Sequence, residues 1–201
     1  MCDRGQTFTL EAFVAAILLV ATVAFALQAV AISSNTASVG ETELKNQQTG
    51  LAEGVLNEAV ANDSLRATVL YWNESSEQFY NADGDGHYVS QLPPTPNGTV
   101  FGDSLEGTFG DQQVKYNVDL HYRDSTGDRQ TQRLIESGTP NDNAVRIVET
   151  VTLYDNTTLV DENEEPTATA LADVEEEFYA PNVDEESPLY NVIRVEVVLW
   201  T

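Results

Sequence analysis

The stretch YNVIRVEVVLW, residues 190–200, predicts a β-strand with one buried face. Every second residue from position 193 to position 199 is apolar: Ile193, Val195, Val197 and Leu199. Arg194 and Glu196 lie between them, as in a strand with one face on a core and one face in water. Residues 114–122 (VKYNVDLHY) and 146–154 (RIVETVTLY) alternate in the same way. The three segments together predict an antiparallel sheet in the C-terminal part of the chain.

A helix is predicted before these strands, over residues 41–73. Two sets of apolar residues recur four positions apart: Leu51, Val55 and Ala59, and Ala52, Leu56 and Val60. This spacing gives an apolar face with the period of a helix, which suits packing on a sheet. Residues 101–110 are expected to hold one helical turn between loops.

Residues 12–32, AFVAAILLVATVAFALQAVAI, form an apolar run without charge. As a helix they extend about 31 Å, which matches the hydrocarbon core of a bilayer. Arg4 is the one base on the N-terminal side, so we expect a cytoplasmic N-terminus and an extracellular C-terminal domain, with a single pass through the cell membrane. The predicted fold class is α+β, with a long N-terminal transmembrane/spine helix followed by a small antiparallel β-sheet head domain.

The charge balance excludes some partners. The chain has 33 acids and nine bases, a formal net charge of −24. Such a surface repels nucleic acid and anionic lipid. Acid excess with only two lysines, Lys45 and Lys115, resembles the proteomes of salt-loving archaea. In molar salt the Debye length falls to about 3 Å, which removes most of the self-repulsion. The single cysteine, Cys2, allows no internal disulfide.

The N-terminal segment also resembles a known family. Arg4, Gly5 and Gln6, then Glu11, then about twenty apolar residues resemble the class III signal peptide of archaeal type IV pilin-like proteins. The resemblance implies cleavage by a prepilin peptidase between Gly5 and Gln6, with the helix kept in the mature protein. It also implies that Glu11 pairs with the newly freed α-amino group of a neighbouring subunit. Glu11 is the sixth residue after this cut, whereas the family glutamate is usually the fifth.

Two other interpretations of the same segment remain open. A secretory signal peptidase could cut after Ala29, Val30 and Ala31, which fit the A-x-A pattern, and would release a domain that begins at Ile32. An unprocessed signal anchor would keep the helix, with Glu11 reaching the headgroups or complementing the helix dipole.

The expected organisation is a leader (residues 1–5), a transmembrane helix and exit (6–40), an extracytoplasmic helix (41–73) and a β-rich domain (74–201). The predicted function is that of a pilin-like structural subunit, minor or accessory. It would bind other pilin-like subunits through its N-terminal helix. The alternative is a monomeric membrane-anchored surface domain that binds a ligand or an envelope protein. No G-x-S-x-G, H-E-x-x-H or phosphate-binding glycine loop occurs, so we expect neither enzymatic activity nor a cofactor.

One segment matches the opening of a calcium loop. Asn81, Asp83 and Asp85 supply oxygen atoms at loop positions 1, 3 and 5, followed by Gly86. Position 12 is Leu92 instead of a bidentate glutamate, so the ligand set is incomplete. The Asp-Gly pairs are better explained by a hairpin turn.

Four N-x-S/T sequons make their asparagines candidates for glycosylation: Asn62, Asn73, Asn97 and Asn156. Asn97, in a proline-rich loop, is expected to be the most accessible. The set is consistent with a glycosylated cell-surface domain.

Overall fold

The computed structural model describes residues 3–83, 85–89, 96, 98–110, 112, 114–174 and 177–201. Within the first helix, side chains are described for residues 11–25 and 42–61. The chain divides into two compact units, residues 1–46 and residues 47–201.

The helices and strands follow one another in this order: α1 (Asp3–Ala61), α2 (Ser64–Val69), β1 (Trp72–Asn73), β2 (Gln78–Phe79), α3 (Val100–Phe109), β3 (Lys115–Arg123), β4 (Arg129–Ile135), β5 (Val145–Tyr154), β6 (Thr158–Val160), β7 (Pro166–Ala170) and β8 (Leu189–Trp200). A 3-10 turn at Leu171–Asp173 lies between β7 and β8.

The transmembrane/spine arrangement expected from residues 12–32 is wrong. Within the described part of the chain, no helix combines the length and the apolarity that crossing a membrane requires. The side chains of residues 26–32 lie outside the described ones. The expected single head sheet is also wrong, because the described strands form three separate antiparallel sheets.

α1 is a helix of 59 residues whose last part belongs to the second unit. There it buries the predicted apolar face, with Ala52, Val55, Leu56 and Ala59 nearly inaccessible, whereas Val60 is exposed. α1 ends at Ala61, earlier than the predicted residue 73, because Asp63 has a left-handed backbone (φ 61°). α2 then begins at Ser64, whose amide donates to the side chain of Asn62 over 3.0 Å. Two short polar residues therefore divide the predicted helix.

The largest sheet has four antiparallel strands in the order β4-β3-β8-β5. The three strands predicted from alternation are confirmed as β3, β5 and β8, and β8 is an interior strand bonded on both sides. The register sets Val197 opposite Val118 on one side and Ile193 opposite Val151 on the other. All four of these valine and isoleucine side chains are buried, so one side of the sheet faces the core.

The core of the second unit lies between this sheet side and the α-helical segments. α3 is longer than the single predicted turn, and it buries Phe101, Leu105 and Phe109. Two two-stranded sheets, β1-β2 and β6-β7, complete the unit. Trp72 of β1 packs edge-on against Phe79, with ring centroids 5.1 Å apart. Its indole N–H donates to the backbone oxygen of Glu177 over 2.6 Å, so the aromatic cluster buries no unsatisfied indole.

Candidate functional site

The first candidate surface is the apolar part of α1, residues 11–25. Every side chain in this range is exposed, and Leu18 and Phe25 are 60% and 74% accessible. Thr22 is the one polar residue between positions 12 and 25, and its hydroxyl donates to the carbonyl of Leu19 over 2.8 Å. The stretch therefore presents an apolar surface with its one hydroxyl already satisfied by the backbone.

The residues predicted for processing and assembly lie at the start of this helix. Gly5 and Gln6 belong to α1, and their side chains lie outside the described residues. Glu11 is exposed and is the only charged residue between positions 11 and 25. It stands at the N-terminal edge of the apolar surface.

The sequon asparagines occupy different environments. Asn62 and Asn156 are exposed, and Asn73, the last residue of β1 before the turn into β2, is partly exposed. The side-chain oxygen of Asn73 accepts from the amide of Ser75 over 3.0 Å, which closes that turn. Asn97 lies outside the described residues.

The calcium-like segment forms a turn. The Asp83 amide donates to the carbonyl of His87, and the Gly86 amide donates to the carbonyl of Asp83. One carboxylate oxygen of Asp83 accepts from the Val89 amide over 2.7 Å, and the Asn81 amide nitrogen donates to the Tyr71 hydroxyl over 3.1 Å. Two of the three candidate calcium ligands, Asn81 and Asp83, thus form hydrogen bonds within the protein. Asp85 is exposed, and among the described residues no group of three His, Cys, Asp or Glu side chains is placed to hold a metal.

The predicted hairpin is only partly present. The turn exists, but its flanks do not pair with each other, because Phe79 pairs with Trp72 and Tyr88 bridges to Ile135 of β4. One flank pairs with the neighbouring strand β1 and the other with the distant strand β4, which the local Asp-Gly pattern could not indicate.

The second candidate surface is the side of the four-stranded sheet that faces away from the core. We call it the cationic face, and it is defined by its outward-pointing bases: Lys115, Arg123, Arg129, Arg133, Arg146 and Arg194. These are six of the nine bases of a chain with 33 acids. The outward positions of the four strands carry two acids, Asp119 and Glu196. One sheet side is therefore positive on an otherwise strongly acidic protein.

Part of this positive charge is neutralised locally. Arg133 contacts the carboxylate of Asp119 at 2.9 Å and that of Glu136 at 2.8 Å. The hydrogen bond to Asp119 raises the pKa of the Arg133 guanidinium further above its usual value. Glu196 lies between Arg146, at 3.9 Å, and the His121 ring, at 3.8 Å. These contacts tie β4, β3, β8 and β5 together across the outer surface.

A groove of about 490 Å³ opens on the cationic face. Its cationic and imidazole side chains are His121, Arg123, Arg129 and Arg194. Leu189 and Val192 add apolar lining, and Val192 is 39% accessible. Glu196 also lines the groove, and its carboxylate lies close to His121 and Arg146. Three arginines against one carboxylate leave the groove net positive, so it can receive an anionic group that also carries apolar surface.

Sequence reasoning missed the cationic face. The sequence does carry a partial signal for it, because the bases alternate with apolar residues in the predicted strands. Arg194 lies between Ile193 and Val195, and Arg146 precedes Ile147. The alternation alone places each base on the outer side of its own strand. It does not show that the strands lie side by side, so convergence of the bases needs the strand order.

One protein-family model covers almost the whole chain. A family model described as a family of unknown function (DUF7288) matches residues 4–199. The chain therefore belongs to that family. Comparison with curated proteins gave no match, and comparison with solved structures gave none.

Proposed function

We propose that this protein is a pilin-like structural subunit, a minor or accessory pilin of an archaeal type IV pilus-like assembly. The observation that carries the proposal is the exposed apolar surface of α1 over residues 12–25. Such a surface is unfavourable in water, because burying one large apolar side chain is worth about 1.5–3 kcal/mol. In the proposed assembly, the equivalent helices of other subunits cover this surface.

Glu11 sets the register of the helices in this proposal. A carboxylate at the edge of packed apolar helices is costly unless a cation pairs with it. Cleavage by a prepilin peptidase between Gly5 and Gln6 would supply that cation as the α-amino group of Gln6 on a neighbouring subunit. The pair would neutralise both charges and fix the axial position of one helix against the next.

The proposal also assigns a location. The chain is carried to the cell envelope of a salt-loving archaeon, where residues 47–201 lie on the outer side. Asn62 and Asn156 are exposed on that unit, which supports their use as glycosylation sites. The acidic composition suits a domain that meets molar salt outside the cell.

Cysteine scanning of α1 in cells tests the assembly. Single cysteines are placed at each position from 13 to 20 in a Cys2→Ser background, and intact cells are oxidised. Packed helices predict dimer formation that rises and falls about every 3.6 residues. Absent cross-links, or equal yields at all positions, would contradict the proposal, because neither outcome indicates a defined helix contact.

Two matched variants complete the test. Ser75→Cys places the same thiol on an exposed turn of the second unit and should form far fewer dimers. Glu11→Gln removes the charge at an exposed site, so the fold should be unchanged while the α1 cross-links weaken. If Glu11→Gln assembles as well as the parent chain, the register role is refuted.

A further inference from the structure

Three arginines of the cationic face, Arg123, Arg129 and Arg194, lie towards the same end of the sheet. Arg123 and Arg129 lie directly opposite each other in the register of β3 and β4. Like charges in directly opposed positions destabilise a sheet pair. The carboxylate of Asp124 accepts from Thr126, Asp128 and Gln130, and it makes no ion pair with either arginine in the described part of the chain. These hydrogen bonds, led by Thr126 and Gln130, lower the pKa of Asp124 to about 2, so it stays ionised in the turn.

Three groove arginines lack an ion pair within the described part of the chain: Arg123, Arg129 and Arg194. Arg123 donates to the backbone oxygen of Gly127 over 2.6 Å, which holds its side chain without neutralising its charge. All three side chains are exposed. An anion from outside the described chain would relieve the opposed pair and satisfy the guanidinium donors.

We propose that the cationic face docks on the acidic surface of a second copy of this chain. The inference rests on the proposed function, since it assigns a subunit contact in the same assembly. The groove receives carboxylates of the neighbouring copy against Arg129 and Arg194, and Val192 supplies apolar contact beneath them.

Charge complementarity identifies the second copy as the occupant. Each copy carries a net charge of −24, and three of its nine bases lie off the cationic face. A contact between two acidic surfaces would set like charges against each other, which costs several kcal/mol. A contact that uses the cationic face on one side sets opposite charges together, so it is the favourable way for such copies to meet.

The contact differs on its two sides, with a cationic face on one copy and an acidic surface on the next. A heterologous contact of this kind leaves both surfaces available at the ends of a chain of copies. It generates a ring if the rotation closes and a helical filament if it does not. The docking thus supplies a second, polar contact in addition to helix packing.

Zero-length cross-linking of the full chain tests the docking. Arg194→Lys keeps the charge and introduces an amine that a carbodiimide couples to a contacting carboxylate. Equal amounts of isotopically light and heavy protein are mixed in detergent and molar salt, and the linked peptides are identified by mass spectrometry. We expect mixed-isotope links from position 194 to acidic residues. Links confined to one isotopic form, or none, would overturn the inference.

Charge reversal provides the matched control. In a chain that carries Arg129→Lys as the reactive amine, adding Arg194→Glu should reduce the mixed-isotope links from position 129 at least about tenfold. Arg66→Glu makes the same charge change on α2, off the cationic face, and should leave the yield within about twofold. Equal losses in both variants would show a general charge effect and would refute docking at this face.

The two proposals fail separately. Periodic cysteine cross-links along α1 without links from position 194 would retain the assembly and refute the docking. Links from position 194 without cross-links along α1 would retain the contact between copies and refute the pilin-like assembly.

Discussion

Thr99 and Gly102 show how single side chains set the start of α3. The Thr99 hydroxyl accepts from the Gly102 amide over 2.9 Å and donates to the carbonyl of Pro96 over 2.9 Å. A Cβ at position 102 would collide with that same carbonyl oxygen. The helix start therefore needs a hydroxyl at one position and no side chain at another.

We predict that Gly102→Ala lowers the free energy of unfolding by about 1–3 kcal/mol, because the methyl group forces the backbone apart. Gly107→Ala is the matched control in the same helix, since a Cβ added at position 107 would meet no atom within 4 Å. That variant should be neutral or stabilising by up to about 1 kcal/mol. Urea denaturation of both variants measures the difference, and equal effects would contradict the steric reason.

Tyr190 gives a prediction about alkaline pH. Burial raises its pKa to about 12, whereas an unfolded tyrosine titrates near 10. Above pH 10 the unfolded chain loses this proton and the folded chain keeps it, so stability falls as the pH rises towards 12. Tyr190→Phe should show a shallower loss of stability over this range in chemical denaturation. A variant that follows the parent slope would refute the contribution of this phenol.

At the level of the element, β8 determines how the sheet is held together. It is hydrogen-bonded to β3 on one side and to β5 on the other, and its inward residues are buried. Truncation on its inward side removes packing that no neighbouring strand can replace.

Ile193→Ala should therefore cost about 2–5 kcal/mol of unfolding free energy, through lost burial and a residual cavity. Val192→Ala removes methyl groups from the next residue on the opposite side, which is 39% accessible, and should cost well under 1 kcal/mol. Thermal and urea denaturation check the pair. Similar losses of stability in the two variants would contradict the structure, in which one side of β8 is buried and the other is exposed.

The same strand shows how far sequence reasoning reaches. Alternation at positions 193–199 predicted a half-buried strand, because period 2 is a local property of the chain. The strand order, the extra turns of α3 and the break at Asp63 depend on distant contacts or on a single backbone conformation, which local patterns do not encode. For the candidate site, the N-terminal apolar surface was visible in the sequence. The cationic face was not, because its bases come together only when β4, β3, β8 and β5 lie side by side.

At the scale of the whole molecule, the charge of −24 makes stability depend on salt. Screening shortens the range of repulsion from about 10 Å at 0.1 M to about 3 Å at 1 M. We predict a midpoint of thermal unfolding that rises steadily with KCl up to molar concentrations. An uncharged osmolyte at equal osmolality serves as the control and should raise it less. A midpoint that does not change with KCl would refute self-repulsion as a destabilising force.

The N-terminal sequence of the mature protein, purified from its own cells, tests the pilin-like proposal most directly. Processing by a prepilin peptidase predicts a chain that begins at Gln6, with α1 retained and its new amino group available to Glu11 of a neighbour. A chain that begins at Met1 or Cys2 would contradict the proposal, because Gln6 would then have no free amino group. A chain that begins at Ile32 would also contradict it, because the apolar surface itself would be missing.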